Sequence, residues 1–241
     1  MPSRDVTIID YGIGNLRSME KALESVGARV VRTDSPDVLD RSERAVLPGV
    51  GAFGACASEI RRRGLIEPIR AFAASGRPLL GVCIGMQLLF ERSNEQGDHE
   101  GLGLLPGSVT RFDFGSNGAS AERLKIPHMG WNAVAWTRED RLLEGLDAVP
   151  YFYFVHSYHT RPAIGSDTLG TSTYGHPFAA VVGRGNVYGV QFHPEKSQRN
   201  GLQILKNFAE MAEGGDPGAE EDELRSASRA SLEPVVAREA S

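Results

Sequence analysis

The sequence predicts an α/β fold with a central, mostly parallel sheet and helices on both faces. Short β-branched runs such as Val6–Asp10 alternate with segments whose apolar residues recur at helical spacing, such as Leu16 to Val26. Glycine or proline separates most of these segments, as Gly27 does after the first helix. With 241 residues, 41% apolar and 24% charged, the chain has the composition of a globular domain, which excludes a disulfide scaffold and wholesale disorder.

In the first half of the chain, the predicted strands and helices largely alternate. The predicted strands are Val6–Asp10, Arg29–Thr33, Arg44–Leu47 and Pro78–Val82. The predicted helices cover Leu16 to Val26, a segment after the turn Pro48–Gly51 that ends at Arg63, Leu65 to Ala74, and Ile84–Glu91. Alternation of this kind is typical of a parallel sheet whose crossover helices cover both faces.

The second half is richer in strand-like segments, which are separated by glycine, proline and asparagine. The predicted strands are Ser108–Phe112, Asn132–Thr137, Tyr151–His156, Phe178–Gly183 and Val187–Phe192. A last helix is predicted from about Ser197 to Ala212.

The chain divides into a folded domain, residues 1–212, and an acidic tail, residues 213–241. The tail carries eight acidic and three basic residues, so it accounts for the whole net charge of −5 and leaves the domain neutral. Its composition of glycine, alanine, serine and glutamate predicts disorder, with a marginal helix around Ala219–Ala230 as the alternative. A neutral domain lacks the basic patch of a nucleic-acid-binding protein.

The sequence predicts a protein of a reducing compartment, and we expect a cytoplasmic one. No apolar stretch approaches the ~18–20 residues of a membrane span, and the first ten residues do not follow the pattern of a signal peptide. The only two cysteines, Cys56 and Cys83, would then be free thiols.

Cys83 stands in the segment Gly81-Val82-Cys83-Ile84-Gly85, where a predicted strand passes into a helix. A nucleophile on such a turn is raised above the sheet, and the helix N-terminus stabilises its thiolate. The Ile84 N–H would be free to donate to an oxyanion. The alternative is a small buried core residue, which is the interpretation we favour for Cys56 in Ala55-Cys56-Ala57.

His193 is the best candidate for the base that a cysteine nucleophile needs. It follows the predicted strand Val187–Phe192, and Glu195 two residues later can bind one ring nitrogen so that the other faces the thiol. The alternative is a capping histidine beside Pro194. The other histidines are predicted to be solvated or to have surface or loop roles: His99, His128, His159 and His176.

Together these segments resemble the class I, or triad, glutamine amidotransferases. Four further segments are similar to the HisH-type glutaminase subunit of imidazole glycerol phosphate synthase: Asp10–Ser18, Leu47–Phe53, Lys125–Asn132 and Phe192–Ser197. The resemblance extends over about residues 5–212 and implies a flavodoxin-like fold for them.

The resemblance implies a role for each site residue. Cys83 would attack the side-chain amide of glutamine, His193 would protonate the departing ammonia, and Glu195 would orient His193. The backbone N–H groups of Val50 and Ile84 would form the oxyanion hole. The implied substrate-binding residues are Gly51, Gln87, Glu95, His156, Ser157 and Tyr158. Without the resemblance, Gln87 would be a helix residue, Glu95 a solvated acid and Pro48–Gly51 an ordinary loop.

The family also implies a partner, a (β/α)₈-barrel cyclase that forms a heterodimer with the glutaminase and receives its ammonia. Asn15, Trp131 and Lys196 match positions near that interface. Read without the family, they are a turn asparagine, an aromatic residue and a lysine at a helix start. The resemblance implies no cofactor, no metal and no nucleic-acid or membrane partner.

Three alternatives remain open from the sequence. The chain could serve another glutamine-dependent synthase, although the segments Asp10–Asn15 and Lys125–Asn132 disfavour this. It could be a regulator that has lost activity, which the complete set of Cys83, His193 and Glu195 disfavours. It could also be an ester or peptide hydrolase built on the same strand-turn-helix arrangement.

Overall fold

The computed structural model describes residues 4–114 and 124–212 of the chain. The predicted acidic tail, residues 213–241, lies outside the described residues.

A central sheet of eight strands organises the described residues, and one half of it is parallel. The five parallel strands are β1 (Asp5–Ile9), β2 (Arg29–Thr33), β3 (Ala45–Leu47), β4 (Leu79–Val82) and β14 (Val187–Val190), in the order β2-β1-β3-β4-β14. All residues of β3 and β4 are buried, as expected for parallel strands that are covered on both faces.

The other half of the central sheet is antiparallel. Beyond β14 the order continues through β13 (His176–Arg184), β12 (Thr168–Tyr174) and β9 (Ala135–Trp136). Both β4 and β14 therefore lie in the middle of the sheet, and their carboxyl ends point to the same edge. Ligands of open α/β sheets bind at this edge.

Helices cover the sheet: α1 (Leu16–Ser25), α2 (Pro36–Asp40), α3 (Phe53–Arg62), α4 (Ile66–Ala74), α5 (Ile84–Leu88) and α6 (Gln198–Glu210). Helix α1 packs against α6, α2 against α4, and α3 against α5. In α1 the buried side chains Met19, Ala22 and Leu23 recur at helical spacing, which gives the helix one apolar face. One-turn 3₁₀ helices also occur, at Arg141–Leu143, Gly165–Asp167 and Pro194–Lys196.

Two smaller sheets complete the described fold. One pairs β8 (His128–Ala133) with β10 (Tyr151–His156), antiparallel. The other has the order β11-β7-β5-β6, made of β5 (Phe90–Ser93), β6 (His99–Glu100), β7 (Leu105–Arg111) and β11 (Tyr158–Pro162). On β10, Phe152 and Phe154 are buried, and Phe152 stacks on Phe192 with ring centroids 3.9 Å apart.

The predicted helix Ile84–Glu91 is too long, because α5 ends at Leu88 and β5 begins at Phe90. The carbonyl oxygens of residues 88 and 89 accept hydrogen bonds from the N–H groups of Leu102 and Leu104, at 2.7 and 2.8 Å. These long-range bonds take the acceptors that a longer helix would use for its own next turn.

The predicted strand Asn132–Thr137 is in fact divided between two sheets. Residues up to Ala133 belong to β8, whereas β9 pairs with β12 of the central sheet. Val134, between the two strands, is fully buried, and its N–H donates to the Pro150 carbonyl. A buried side chain at the junction directs the chain from one sheet into the next.

The surface or loop roles predicted for His128 and His159 are wrong. Both side chains are buried, at 3% and 6% exposure, and His176 is half-buried. They belong, with His156, to a histidine–aromatic cluster around the Phe112 ring, which also contains Phe114, Phe154, Tyr174 and Phe178. His99, predicted to be solvated, is half-buried in β6 with its ring against Gly54.

Within this cluster, hydrogen bonds fix the protonation of two imidazoles. The Tyr158 carbonyl oxygen can only accept, so His156 Nδ1–H donates to it at 2.8 Å and His156 Nε2 carries a lone pair. His128 Nδ1–H then donates to that Nε2 at 2.9 Å. Burial, the main cause, lowers the pKa of His156 to about 3 and that of His128 to about 4, so both rings are neutral at pH 7.

Candidate active site

Cys83 occupies a strained turn between β4 and α5. Its backbone has φ 56° and ψ −111°, a conformation rare for a residue with a side chain. The two flanking glycines make this turn possible. A Cβ at Gly85 would lie 1.8 Å from the Leu47 carbonyl oxygen, and one at Gly81 would lie 2.5 Å from the Gly85 carbonyl oxygen. The local sequence thus raises the thiol above the sheet.

His193 lies beside Cys83 because their strands are neighbours. The Cys83 N–H donates to the Val190 carbonyl oxygen at 2.8 Å, which fixes the register of β4 against β14. The His193 Nδ1 lies 2.9 Å from Glu195 Oε1, and both side chains are almost completely buried. The structure therefore brings together the three side chains predicted to form the triad.

The protonated form of His193 is favoured in this setting. Burial by itself lowers the pKa of the imidazole, but hydrogen bonds to Cys83 and Glu195, with the charges of the same groups, raise the pKa to about 10. An imidazolium between a thiolate and a carboxylate is the arrangement that these contacts stabilise.

The strand β10 holds the catalytic turn in place through its backbone. The His193 N–H donates to the Tyr153 carbonyl oxygen at 3.0 Å, and the Tyr153 N–H donates to Ser197 Oγ at 3.0 Å. Ser197 Oγ–H in turn donates to the His193 carbonyl oxygen at 2.7 Å. Two hydrogen bonds thus connect the middle of one strand to both ends of the turn that carries His193, and the third closes the turn.

Two backbone N–H groups next to the thiol have no acceptor among residues 4–114 and 124–212: those of Val50 and Ile84. The loop Pro48–Gly51 touches the start of α5, since a Cβ at Gly49 would lie 2.7 Å from the Gly85 nitrogen. The first N–H of a helix is free by construction. Unsatisfied donors beside a nucleophile are suited to a developing oxyanion.

A cavity of about 430 Å³ opens at the thiol. Its walls include every residue that the sequence predicted for the oxyanion hole, the substrate and the triad, except for Glu195. The lining residues are Val50, Gly51, Cys83, Ile84, Gln87, Glu95, Pro127, Val155, His156, Ser157, Tyr158, His193 and Lys196. Its size is in the range of small-molecule sites.

Gln87, in the cavity wall, is connected to the thiol through Gln191, a residue that the sequence did not predict as part of the site. Gln87 Nε2–H donates to the Tyr158 carbonyl oxygen and to Gln191 Oε1, both at 3.1 Å. Gln191 Nε2 lies 3.9 Å from Cys83 Sγ and donates to it. The sequence does contain a signal for Gln191, because it is a polar residue in the apolar run that leads to His193.

Glu95 also lines the cavity and accepts a hydrogen bond from the start of a helix. Its Oε2 accepts a hydrogen bond from the N–H of Phe53, the first residue of α3, at 2.7 Å. The carboxylate therefore completes a helix N-terminus that lacks a side-chain cap from Ala52.

Of the predicted interface residues, Asn15 and Trp131 lie outside the cavity, whereas Lys196 lines it. Trp131 is 47% exposed and its ring meets Tyr153 edge to face, while Lys196 Nζ lies 6.0 Å from the centroid of the same Tyr153 ring. Asn15, half-buried, precedes α1, which packs near the turn Pro194–Lys196. Exposed apolar side chains surround Trp131 on β8 and β10, namely Met129 and Tyr151.

The described residues show neither a cluster of metal-binding side chains nor a membrane-spanning helix. They contain no group of three or more histidine, cysteine, aspartate and glutamate side chains arranged to hold a metal ion. In the same residues, every helix is too short or too polar to cross a membrane.

The fold and the site define a class I glutamine amidotransferase, and the chain belongs to this family, whose description "Glutamine amidotransferase class-I" matches residues 7–212. Solved structures with a similar fold include a glutamine amidotransferase, with a TM-score of 0.64 and 20% identity over 86% of this chain and 99% of that chain. PurLQS from Thermotoga maritima has a TM-score of 0.63 and 19% identity over 86% and 98% of the two chains.

Within the family the chain groups with the HisH proteins. It is 60% identical over 205 residues to the imidazole glycerol phosphate synthase subunit HisH of Salinibacter ruber, covering 85% of this chain and 94% of that one. The HisH subunit of Syntrophotalea carbinolica is 49% identical over 206 residues, covering 86% of this chain and all of its relative.

Proposed function

We propose that this chain is the glutaminase subunit of imidazole glycerol phosphate synthase. It hydrolyses glutamine to glutamate and ammonia and passes the ammonia to a cyclase, which forms imidazole glycerol phosphate and AICAR in histidine biosynthesis. The observation that carries the proposal is the buried set of thiol, imidazole and carboxylate in a cavity, in a chain that is 60% identical to a HisH subunit.

Cys83 is the nucleophile of the proposed reaction. Its thiolate attacks the side-chain amide carbon of glutamine, and the negative charge moves to the amide oxygen. The N–H groups of Val50 and Ile84, which have no acceptor in the described structure, donate to that oxyanion. When the tetrahedral intermediate collapses, the carbon–nitrogen bond breaks and a glutamyl thioester remains on Cys83.

His193 moves the protons of both half-reactions. Its imidazolium gives a proton to the departing nitrogen, so that ammonia leaves as a neutral molecule. The neutral ring then accepts a proton from the water that hydrolyses the thioester, and glutamate is released. Glu195 acts through its hydrogen bond to Nδ1, which orients the ring and stabilises its charge.

Glutamine is recognised at both ends of the cavity in this proposal. The residues assigned to substrate binding are Gly51, Gln87, Glu95, His156, Ser157 and Tyr158. The Glu95 carboxylate is the anionic group for the α-ammonium of the substrate. His156 contributes through its main chain, since both of its ring nitrogens already have partners.

The partner in this proposal is a (β/α)₈-barrel cyclase that docks on the face formed by β8 and β10, and the two form a heterodimer. Support comes from the exposed Met129, Trp131 and Tyr151 side chains, with Lys196 beside them. A cluster of exposed apolar and aromatic groups is typical of an interface. Val155 lines the cavity and lies on the same strand as Tyr151, so this face adjoins the site that releases ammonia.

We also propose a cytoplasmic location. A catalytic thiolate requires that Cys83 stay reduced, and both cysteines are free.

The test is a comparison of two nitrogen sources in the complex with the cyclase. Cys83→Ala should abolish synthesis from glutamine and leave synthesis from free ammonia unchanged, because it removes the nucleophile and not the partner's chemistry. Cys83→Ser is the matched variant and should be nearly as inactive. Persistent glutamine hydrolysis by Cys83→Ala would contradict the proposal, as would the failure of the chain to bind the cyclase.

A further inference from the structure

Two buried side chains outside the predicted site hold the loop that carries the Val50 N–H. Tyr11 Oη–H donates to the Pro48 carbonyl oxygen at 2.7 Å. Cys56 Sγ–H donates to the Val50 carbonyl oxygen at 3.4 Å. Both side chains have no exposed area.

These bonds fix the two peptide groups on either side of a third. The Pro48 carbonyl belongs to the peptide before Gly49, and the Val50 carbonyl belongs to the peptide before Gly51. Between them lies the Gly49–Val50 peptide, whose N–H is the proposed oxyanion donor. No hydrogen bond to this N–H occurs in the described residues, so its direction depends on how firmly its two neighbours are held.

The same loop packs against both Tyr11 and the start of α5. A Cβ at Gly49 would lie 3.0 Å from Tyr11 Oη and 2.8 Å from Ile84 Cβ. Tyr11 therefore contacts the loop where it passes Ile84, the second oxyanion residue.

We infer that Tyr11 and Cys56 are positioning residues, which direct the Val50 N–H toward the reacting oxygen by holding the carbonyls of Pro48 and Val50. The inference rests on the proposed function and adds to it two side chains that touch neither the substrate nor Cys83. It also assigns to Cys56 a role beyond core packing, the only role that the sequence predicted for it.

Both groups stay in the donor form that this role requires. Burial raises the pKa of Tyr11, and the nearby Cys56 and Cys83 raise it further. Burial likewise raises the pKa of the Cys56 thiol, which also feels the charge of Cys83. At neutral pH, therefore, the hydroxyl and the thiol are protonated and can donate to carbonyl oxygens.

The test uses the complex with the cyclase and measures kcat and KM for glutamine, together with synthesis from ammonia. Tyr11→Phe removes one oxygen atom and should lower kcat about tenfold. Loss of a whole oxyanion donor costs ~10²–10³, and here the donor is misdirected rather than removed. KM should change less than twofold, because the substrate contacts remain. Synthesis from ammonia should be unchanged.

Tyr174→Phe is the matched control. Tyr174 Oη–H also donates to a backbone carbonyl at 2.7 Å, that of Lys125, but far from the loop. The kcat of the Tyr174→Phe complex should equal that of the unmodified complex. An unchanged kcat in Tyr11→Phe, or a rise in KM alone, would overturn the inference.

Cys56 provides an independent pair of variants. Cys56→Ala loses the donor and should lower kcat severalfold, whereas Cys56→Ser keeps an O–H donor and should restore most of it. Equal kcat values for the two variants would overturn the role of Cys56, even if Tyr11→Phe failed to fold. If the unmodified complex hydrolyses no glutamine, the proposed function itself fails. This outcome is distinct from those that overturn the roles of Tyr11 and Cys56.

Discussion

At the scale of single residues, His193 sets the charge state of the site. The thiol on one side and the Glu195 carboxylate on the other raise the pKa of its imidazole to about 10. At neutral pH the ring is therefore charged, and Cys83 faces a cation before substrate arrives. Glu195 Oε2, the second carboxylate oxygen, is buried with no hydrogen-bond partner in the described residues, so the carboxylate acts on the ring through Oε1.

Neutralising Glu195 should reduce catalysis without loss of substrate affinity. Glu195→Gln keeps the size of the side chain and removes its charge, so the pKa of His193 falls and the ring loses its fixed tautomer. We expect kcat for glutamine in the complex to fall ~10–10³-fold, less than the ~10⁴ of a serine protease, because a thiolate at a helix N-terminus depends less on its base. KM should stay nearly constant.

His193→Ala is the comparison for this prediction. It removes both the base and the proton donor to ammonia, so it should cost more than Glu195→Gln. A larger effect of Glu195→Gln, or an effect on KM alone, would show that the orienting residue has been misassigned. Steady-state kinetics of both variants with the cyclase bound will decide whether Glu195 is the orienting residue.

At the scale of elements, the sequence predicted the parts of the site that depend on neighbours along the chain. The glycines around Cys83 and the His-Pro-Glu segment are local signals, and both lie at the ends of strands, as the alternation of elements implied. The strands β5, β6, β11 and β12 escaped prediction, because pairing with other strands, rather than their own sequence, determines them. The end of α5 at Leu88 is an example, since Leu102 occupies its last carbonyl.

The buried histidines show even more clearly that a sequence does not reveal contacts between distant segments of the chain. Nothing near His128 in the sequence indicates burial, since the aromatic rings that surround it come from β10, β12 and β13. The histidine–aromatic cluster forms only when these strands assemble around Phe112. For this reason the surface or loop roles predicted for His128 and His159 are wrong.

This cluster should make the fold sensitive to acid. The pKa values of His128 and His156, about 4 and 3, lie below the ordinary value of 6.5 that they regain on unfolding. As the pH falls below 6.5, the unfolded chain binds protons that the folded chain excludes. The free energy of unfolding should therefore decrease, by up to about 1.4 kcal/mol per pH unit for each histidine.

Urea unfolding between pH 7 and 4.5 measures this slope, and His128→Asn should reduce it. His193 adds no slope below about pH 5.5, where it is protonated in both states. Between pH 7 and about 5.5 its raised pKa gives a slope of the opposite sign, because the unfolded ring, with its ordinary pKa of 6.5, binds a proton there that the folded ring already holds. Its contribution is present below pH 6.5 and is lost as the pH rises through 10. A stability that stays constant down to pH 4.5 would contradict the neutral state of the cluster.

At the scale of the whole molecule, the described fold presents two adjoining surfaces of different character. One edge of the central sheet carries the thiol, and the face of β8 and β10 next to it carries the exposed aromatic side chains. The family match ends at residue 212, where the described structure also ends. Residues 213–241 lie outside both.

We expect Trp131→Ala to weaken the complex with the cyclase at least tenfold. An exposed tryptophan among apolar neighbours is the kind of side chain that dominates an interface, where truncation costs more than 1–2 kcal/mol. Val31→Ala is the control, because Val31 is 46% exposed on β2, at the opposite edge of the central sheet. Titration calorimetry should separate the two variants, and equal affinities would exclude Trp131 from the interface.

The acidic tail should be dispensable for folding. A chain that ends at Gly214 should bind the cyclase and hydrolyse glutamine at the rate of the full chain, because the tail has few large apolar side chains to bury. Its free energy of unfolding should differ by less than about 1 kcal/mol, the scale of a typical contact deletion. A greater loss in thermal unfolding would show that the tail docks on the domain.

The two hydrogen bonds between Tyr153 and the catalytic turn have a consequence for how such a complex can evolve. They use only the main chain of Tyr153, whereas its side chain faces Trp131 and Lys196 on the outside. In the proposed complex, partner choice and catalysis therefore share one residue, the first through its side chain and the second through its main chain. Substitutions of the side chain can adapt the outer face to a changed cyclase while the support of His193 is inherited intact. Proline is the exception, because it alone removes the N–H that Ser197 accepts.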